Sequence, residues 1–528
     1  MSRTNVSLSS PKQVRVMESV NITDKERQIF DLLLQVVKHF NLETQLRVAG
    51  GWVRDKLLGK ECYDIDIALD NMLGREFCEK VNDYFVSMGQ KTQGFGVIKS
   101  NPDKSKHLEI AKIHLFDVSI DFVNLSSRIG ITEYGTPEQD AYRRDLTINS
   151  LFYNLNTSVI EDFTGRGIDD LKCGRIVTPL PPKVMFLDDP CVVLRAIRFS
   201  ARFEFDMVEE IKIAAVDNDV KTAISDKITR ERIGHEIDLM ISGNQPVKAM
   251  ELVSELGLFW VVFTLPSNFE VEISDRICVN YVDEAWRFLR ALGACTMSNE
   301  QRRLYLYAAL FLPFRKTNCG DNKKRIVSPL NHIFKRSLKL NADNVIRLHN
   351  AVEKFKSLIP FMVSNEECVK RIEVNWNPDM IDVPVSLELR ILLGLILKEV
   401  KDLWRAALML SILLDKEDSS VESKIGVFRE IEGRILKLGL ENLWEVKPLI
   451  NGGEIMKLLE VENGGLVVGK WQQKVIQWQL AYPCGNVDEC GDWLMSQTRR
   501  KIDESIKYYD TYISQTHFGR SLHPVPPT

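Results

Sequence analysis

The spacing of apolar residues changes once along the chain, and this change constrains the fold. From residue 46 to about 178, short runs rich in β-branched and aromatic residues alternate with helical or turn-like segments. After Pro190, apolar residues recur at helical spacing over long stretches such as LELRILLGLILKEVKDLWRAALMLSILL. Short β-rich runs indicate strands, and a period near 3.6 indicates helices. The sequence therefore predicts an α+β region built on a sheet, followed by an all-α region.

Length, charge and cysteine spacing narrow the class of protein. A chain of 528 residues with 45% hydrophobic residues is long enough for about three or four domains. The formal net charge of −4 excludes a uniformly basic surface but allows one basic groove for a nucleic acid. The ten cysteines form no C-x-x-C pair, which is typical of thiols in a reducing compartment. No apolar run reaches the roughly 18 residues of a membrane span, so we expect an intracellular protein without a membrane partner.

The first 17 residues have the composition of a targeting segment. They contain Arg3, Lys12 and Arg15, four serines and no acidic residue. This composition is typical of an organellar transit segment, and Met17 would then be a second start. The longer form would enter mitochondria or plastids, and the shorter form would stay in the cytosol or nucleus. A disordered tail has the same composition, so both alternatives stay open.

The segment LRVAGGWVRDKLLGKECYDIDIAL, residues 46–69, carries the first candidate site. A Gly-Gly turn follows one predicted strand, and a second predicted strand carries Asp64 and Asp66. Carboxylates two residues apart on a strand point to the same face with Cα atoms roughly 7 Å apart, so both can reach a pair of metal ions. Gly50 and Gly51 would let backbone N–H groups approach phosphates, and Arg54 would add a charged contact. A solvated strand edge is the alternative for the two aspartates.

Two later segments carry further candidates. Asp121 lies on the predicted strand VSIDFVNL and is either a third metal ligand or a buried structural carboxylate. Residues 135–155, GTPEQDAYRRDLTINSLFYNL, place four polar candidates around a strand start: Arg143, Arg144, Asp145 and Asn149. Adjacent arginines suit a triphosphate and a nearby aspartate suits a ribose hydroxyl, whereas an ordinary surface ion pair is the alternative.

Together with three segments further along, these strings resemble the class II tRNA nucleotidyltransferases (CCA-adding enzymes) of the DNA polymerase β superfamily. The three segments are DFTGRGIDDLKCGRIVTPLPP at 162–182, FLDDPCVVLRAIRFSARFEF at 186–205 and TRERIGHEIDLMISG at 229–243. The resemblance implies an α+β fold, with an N-terminal nucleotidyltransferase head on a mixed β-sheet and an elongated all-α neck, body and tail. The implied bounds are 1–22 for the segment before the head, 23–183 for the head, 184–265 for the neck, 266–420 for the body and 421–528 for the tail.

The resemblance also implies a reaction. It is the template-independent addition of CCA to the 3′ end of tRNA from CTP and ATP, with release of pyrophosphate. Two Mg²⁺ ions would be held by Asp64, Asp66 and Asp121. The protein would bind the acceptor and T arms of tRNA and act as a monomer.

The neck segment departs from the resembled family at one position. In that family the acidic pair, here Asp188 and Asp189, reads the base together with an arginine three positions after the second acid. This chain has Val192 there. Arg195 and Arg198 follow at helical spacing and would face the nucleotide phosphates or stack near the base. Either another arginine replaces the missing one, with Arg195 the nearest, or base selection is impaired.

A second departure follows Leu125. The segment between Leu125 and the Gly-Thr-Pro sequence at residues 135–137 is shorter than in the resembled family. The two departures leave three hypotheses. The first is complete CCA addition, and the second is a related activity such as poly(A) polymerase or C-only or A-only addition. The third is a degenerate copy that binds tRNA without extending it.

A basic stretch supplies candidate tRNA contacts. Residues 315–339 hold eight lysines and arginines against the single acid Asp321. Clustered basic side chains bind the phosphate backbone of nucleic acids, although a solvated charged face is the alternative. We predict tRNA contacts from five of these residues: Lys323, Lys324, Arg325, Lys335 and Arg336.

Overall fold

A computed structural model gives the fold of the chain. It describes residues 13–98, 109–125, 134–266, 269, 273–293, 297–317, 319–320, 326–363, 371–414, 420–460 and 464–498. The chain divides into two compact units. Unit 1 comprises residues 1–279 and 317–341, and unit 2 comprises residues 280–316 and 342–528. The domain bounds given above remain a prediction.

Unit 1 is built on a seven-stranded mixed sheet. Its strands are β1 (Leu46–Ala49), β2 (Ile65–Leu69), β3 (Phe95–Ile98), β4 (Ile110–Leu115), β5 (Val118–Asn124), β6 (Leu151–Asn154) and β7 (Val159–Asp162). Their order is β3-β4-β5-β2-β1-β6-β7. Strands β2 and β5 run parallel, whereas the other neighbouring pairs are antiparallel. The predicted mixed sheet is therefore confirmed.

Helices surround this sheet and make up most of the chain after it. In unit 1 they are α1 (Asp24–His39), α2 (Gly51–Leu57), α3 (Gly74–Ser87), α4 (Pro137–Arg143), α5 (Gly167–Lys172), α6 (Pro182–Asp188), α7 (Cys191–Phe203), α8 (Glu209–Ala215), α9 (Asn218–Lys227), α10 (Arg230–Ser242), α11 (Pro246–Glu255) and α12 (Phe259–Val262). The two-residue strands β8 (Arg175–Ile176) and β9 (Asp206–Met207) pair in parallel. Strand β9 lies beyond Pro190, so the predicted all-α region contains a short exception.

The remaining elements are also mainly helical. They are α13 (Asp275–Leu292), α14 (Asn299–Leu310), the paired strands β10 (Cys319–Gly320) and β11 (Ile326–Val327), α15 (Pro329–His332), the π-helical segment Ile333–Leu338, α16 (Asp343–Val363), α17 (Val385–Val400), α18 (Trp404–Leu413), α19 (Val421–Lys437), α20 (Gly452–Leu458) and α21 (Leu466–Ala481). Short 3₁₀ helices occur at Thr147–Asn149, Leu312–Phe314, Lys401–Leu403 and Leu443–Glu445. Within the described ranges, no helix is both long and apolar enough to cross a bilayer.

The first helix is joined to the sheet region through a buried acid. Thr23 and Glu26 form a capping box that fixes the start of α1. The Glu26 carboxylate also accepts hydrogen bonds from Trp52 Nε1 at 2.9 Å and from Lys56 Nζ at 2.7 Å. Burying a charge is tolerated when it is paired and hydrogen-bonded. These contacts therefore hold α1 and α2 in a fixed relation.

The two faces of the sheet have different roles. Phe77 of α3 packs on Phe122 of β5 with ring centroids 5.0 Å apart, so α3 covers the face that carries the buried odd-numbered positions of β2. The opposite face carries Asp66 and Ala68. Ala68 packs in a buried cluster with Ala49, Leu125, Ala141 and Phe152. This cluster brings α4 to the same face as the candidate carboxylates.

Helix α10 approaches the π-helical segment so closely that it requires a glycine. A Cβ on Gly234 would overlap the carbonyl oxygen of Leu338. We expect Gly234→Ala to destabilise unit 1 by about 3 kcal/mol, lowering the thermal midpoint by about 5–10 °C. Gly433→Ala is the matched control, because no atom lies within 4 Å of its added Cβ. Differential scanning calorimetry of both variants makes the comparison, and equal midpoints would contradict this packing.

Candidate active site

Three aspartates lie near one another at strands β2 and β5. In the parallel pair β2–β5, Asp66 lies directly opposite Asp121. Asp64 precedes Asp66 by two residues and is exposed, whereas Asp66 and Asp121 are half-buried. The strand pairing therefore brings Asp66 and Asp121 to one face. Asp64 lies one residue before β2, not within the strand as predicted, and is near enough to Asp66 to affect its pKa.

The electrostatics of this cluster are those of crowded like charges. Burial raises the pKa of Asp66 to about 6, and the negative charges of Asp64 and Asp121 add to this increase. The positive charges of Arg144 and Lys112 oppose it. A carboxylate whose ionisation is disfavoured by neighbouring carboxylates is one that a cation would stabilise. The cluster therefore has the charge distribution of a cation site.

Lys112 is a member of this site that the sequence analysis missed. Its Nζ lies 3.1 Å from Asp121 Oδ1, in an ion pair without hydrogen-bond geometry. Residue 112 faces Asp121 across the antiparallel pair β4–β5. The signal in the sequence was a lysine in the alternating run IAKIHL, but the strand partner cannot be read from that run alone. A lysine here balances part of the acidic charge.

The donor set fits Mg²⁺, which prefers carboxylate oxygens. Among the described residues, no three His, Cys, Asp or Glu side chains already surround one point as a closed ligand set. Asp66 and Asp121 share one face and Asp64 lies near Asp66, however, and a carboxylate can turn about its χ angles without any change in the backbone. The fit therefore rests on the strand register and on the mutual repulsion of the three charges, and the metal assignment remains a prediction.

The Gly-Gly turn has a different role from the predicted one at Gly50. Gly50 has φ of +72°, and its N–H donates to Leu151 O at 2.9 Å, so this N–H is already used. A Cβ on Gly50 would lie 2.7 Å from Arg144 Nη1. Gly50 is therefore needed for its backbone conformation and for the close approach of Arg144. Gly51 begins α2 beside it.

Arg54 differs from the expectation in the same way. Arg54 is only 3% exposed, so its guanidinium is not accessible to a triphosphate. The Nε donates to Asp55 Oδ1 at 2.8 Å and Nη1 donates to Asn149 Oδ1. The guanidinium also lies over the ring of Phe203 at 4.8 Å. Arg54 thus connects α2 to Asn149 and to α7. These contacts are those of a residue that positions its neighbours.

The segment after α4 supplies the remaining polar groups of the head. Arg144 donates through Nη2 to Asp140 Oδ2 at 2.9 Å and lies over the Phe152 ring at 4.9 Å. Asp145 is buried and accepts from Asn149 Nδ2 at 3.0 Å. Arg143 is half-buried at the end of α4. Of these predicted residues, Arg144 lies near enough to Asp66 to influence its charge, whereas Asp145 and Asn149 are bonded to each other.

The two carboxylates of the acidic pair, Asp188 and Asp189, are accessible to solvent. Asp188 is exposed at the end of α6, and Asp189 is half-buried in the next position. Arg232 of α10 donates through Nη2 to Asp189 Oδ2 at 2.7 Å. The expected base-reading position, Val192, is buried in α7. Arg232 lies in the segment at 229–243, but nothing in that segment by itself indicates a contact with Asp189.

The two arginines that follow Val192 are engaged elsewhere. Arg195 Nη2 lies 3.0 Å from Asp145 Oδ2, which joins α7 to the head. Arg198 Nε donates to Glu236 Oε2 at 2.6 Å, and its guanidinium lies over the Phe199 ring at 4.2 Å. Arg195 is therefore close to the predicted ribose-binding aspartate, and Arg198 links α7 to α10.

The predicted tRNA contacts are partly within the described residues. Lys335 and Arg336 are exposed in the π-helical segment Ile333–Leu338. Lys323, Lys324 and Arg325 lie outside the described residues. The tRNA contact of all five stays a prediction.

Known proteins are similar to this chain over most of its length. Residues 46–177 match the family model of the poly(A) polymerase head domain. The chain is 32% identical to the mitochondrial CCA tRNA nucleotidyltransferase of Candida glabrata, over 90% of this chain and 96% of that protein. It is 31% identical to the mitochondrial CCA tRNA nucleotidyltransferase of Saccharomyces cerevisiae, over 93% of this chain and 94% of that protein.

Solved structures share the fold. The CCA-adding enzyme of Bacillus stearothermophilus in complex with CTP superposes with a TM-score of 0.60 at 17% identity, covering 92% of this chain and all of that one. The Thermotoga maritima CCA-adding enzyme complexed with tRNA superposes with a TM-score of 0.56 at 21% identity, covering 90% of this chain and 96% of that one. The predicted fold class, a mixed-sheet head followed by helices, is therefore confirmed.

The burial of Arg54 generates a test that separates positioning from triphosphate binding. Arg54→Lys keeps the charge but loses the fork that reaches both Asp55 and Asn149. We expect about 1–3 kcal/mol of lost stability, visible as a lower thermal midpoint, because buried acceptors lose their donors. The matched control is Arg27→Lys on the exposed side of α1. An unchanged midpoint together with a raised KM for the nucleotide would instead support a direct triphosphate contact.

Proposed function

The chain belongs to the CCA tRNA nucleotidyltransferase family, and from this premise we propose that it adds C, C and A to the 3′ end of tRNA. The substrates are CTP and ATP. In each step the terminal 3′-hydroxyl loses its proton to solvent and its oxygen forms a bond to the α-phosphorus. The bond between the α-phosphorus and the oxygen that bridges it to the β-phosphorus breaks, and pyrophosphate leaves with that oxygen. Identity of 31–32% over at least 90% of the chain supports this function above the related polymerase activities.

The structural observation that most supports this proposal is the register of β2 and β5. It sets Asp66 opposite Asp121, with Asp64 two residues before Asp66. We propose that these three carboxylates hold two Mg²⁺ ions. When bound, Mg²⁺ lowers the pKa of an attacking hydroxyl and neutralises charge on the leaving pyrophosphate. The raised pKa of Asp66, caused by burial and by its acidic neighbours, supports a site that gains from a cation.

The surrounding residues of the head would bind and orient the nucleotide. Arg144 lies on the carboxylate face and is held there by Asp140, so its guanidinium is directed before a triphosphate arrives. Arg143 would add a second charge at the end of α4. Asp145 and Asn149 are hydrogen-bonded to each other and would meet the ribose hydroxyls. Fixed side chains reduce the entropy lost when the reacting atoms are aligned.

The neck would select the base and other surfaces would bind the tRNA. Asp188 and Asp189 have accessible carboxylates beside α7. Lys335 and Arg336 are exposed basic residues of unit 1 and would contact the phosphate backbone of the acceptor and T arms. The two yeast relatives bear mitochondrial names, which supports a mitochondrial location for this chain.

Val192, which stands where the resembled family has an arginine, motivates one alternative function. In this alternative the protein binds tRNA but does not extend it faithfully. The deciding experiment is extension of tRNA transcripts that end before CCA, at single-nucleotide resolution, with CTP alone, ATP alone or both. Addition of C, C and A followed by a stop is expected. Disordered incorporation would place a defect in base selection, and tRNA binding without incorporation would overturn the proposed function.

The metal assignment predicts a sharp loss of activity without a loss of fold. Asp64→Ala and Asp66→Ala should each lower kcat by about 10³-fold or more, because each removes several kcal/mol of charge stabilisation. The thermal midpoint should not fall, because removing one of three crowded carboxylates relieves repulsion. The matched control, Asp83→Ala on α3, should keep full activity, since that exposed carboxylate pairs with Lys80 away from the cluster. An active, folded Asp64→Ala/Asp66→Ala double variant would disprove the metal role.

A further inference from the structure

The pairing of Asp189 with α10 carries an inference about base selection that rests on the proposed function. We propose that Arg232 is the base-reading arginine of this chain, in the place of the arginine that Val192 replaces. Arg232 lies 40 positions after Val192 in the sequence, in the first turn of α10. Helix α7 packs against α10 through Arg198 and Glu236, and Arg232 of α10 reaches Asp189, which lies two residues before α7.

A hydrogen-bond acceptor, Asp189, and a donor, Arg232, lie side by side at a solvent-accessible position. Nη2 of Arg232 donates to both carboxylate oxygens of Asp189, at 3.1 and 2.7 Å. The side chains are 32% and 41% exposed respectively, so a ligand can reach both. Within the part of the chain that the structure describes, Nε and Nη1 of Arg232 have no hydrogen-bond or ion-pair partner. Asp189 Oδ1 also accepts the backbone N–H of Cys191 at 3.2 Å. A carboxylate offers about four acceptor sites, so Asp189 as well as Arg232 keeps capacity for a base.

The neighbouring arginines are less suited to this role. Val192 is 4% exposed and packs in the apolar side of α7, so it offers neither charge nor a hydrogen bond. Arg195, the nearest in sequence, is paired with Asp145 of the head. Arg198 is paired with Glu236 and lies over Phe199. Of these arginines, Arg232 is the one whose partner is a carboxylate of the acidic pair itself.

The chemistry of the bases explains what such a pair would select. Cytosine and adenine each present an exocyclic amino donor next to a ring-nitrogen acceptor. Uracil and guanine present a carbonyl acceptor next to a ring N–H donor. A carboxylate that accepts and a guanidinium that donates, held side by side, complement the first pattern and leave unpaired groups against the second. Asp189 and Arg232 would therefore admit C and A and reject U and G.

The test compares Arg232→Lys and Arg232→Ala with the parent, using the full chain. Extension is measured as kcat/KM for all four nucleoside triphosphates, on tRNA ending before CCA and on tRNA ending in CC. Binding of CTP and UTP without tRNA is measured by titration calorimetry. Arg232→Lys keeps the positive charge beside Asp189 but not the planar fork, so it separates base reading from folding. The matched control is His235→Ala, an exposed position one turn further along α10.

We expect Arg232→Lys to lower the preference for CTP over UTP, and for ATP over GTP, by about 10- to 100-fold. The thermal midpoint should stay near that of the parent, and His235→Ala should keep the parent's preference. A purely structural role would change stability without changing these ratios.

The outcomes separate this inference from the proposed function. Arg232→Lys with the parent's selectivity in both extension and binding would overturn the role of Arg232, even if CCA addition is complete. A parent that binds CTP above UTP but extends no tRNA would overturn the proposed function. In that case loss of the CTP preference in Arg232→Lys would still support Arg232 as the base-reading residue.

Discussion

The parallel pairing of β2 with β5 is the constraint on which the rest of the site depends. It sets Asp66 against Asp121, so that negative charges face one another on a half-buried surface. Such an arrangement is unfavourable by itself and persists because the sheet register fixes it. The surrounding cations respond to it: Lys112 lies 3.1 Å from Asp121, and Arg144 approaches closely because Gly50 has no side chain. Several side chains of the head are thus arranged around this cluster of negative charge.

Buried charge also joins the catalytic head to the neck within unit 1. Arg54 and Asp55 of α2 form a pair, and Arg202 of α7 reaches the same aspartate at 3.2 Å. A second link is the ion pair between Asp145 and Arg195. Removing one partner of such a pair leaves a costly unpaired charge, so the links resist independent movement of α7. Groups that would bind phosphate and base are therefore held at a fixed separation.

The sequence was sufficient for the fold class, and it singled out three aspartates that lie near one another in the structure, while their metal role stays a prediction. Local patterns carry that information, because strand alternation determines which side chains share a face and a change of period marks the end of the sheet region. The sequence was insufficient for Arg54, which looked like a phosphate ligand and is buried under α7. It was also insufficient for Lys112, because strand neighbours that are distant in sequence determine its partner. Burial and cross-strand pairing are tertiary properties that no short segment contains.

Arg232 shows the same limit in the opposite direction. A motif read along the chain indicates a missing arginine at Val192, but a base interacts with groups in space and not with positions in a segment. Helix packing brings a guanidinium from α10 to Asp189, while Val192 adds its side chain to the apolar side of α7. Selection without a nucleic-acid template requires a donor and an acceptor at fixed positions, and either helix can supply the donor. A departure from a family's motif therefore does not by itself indicate lost function. A residue from another helix can supply the missing group when the fold places it next to the site.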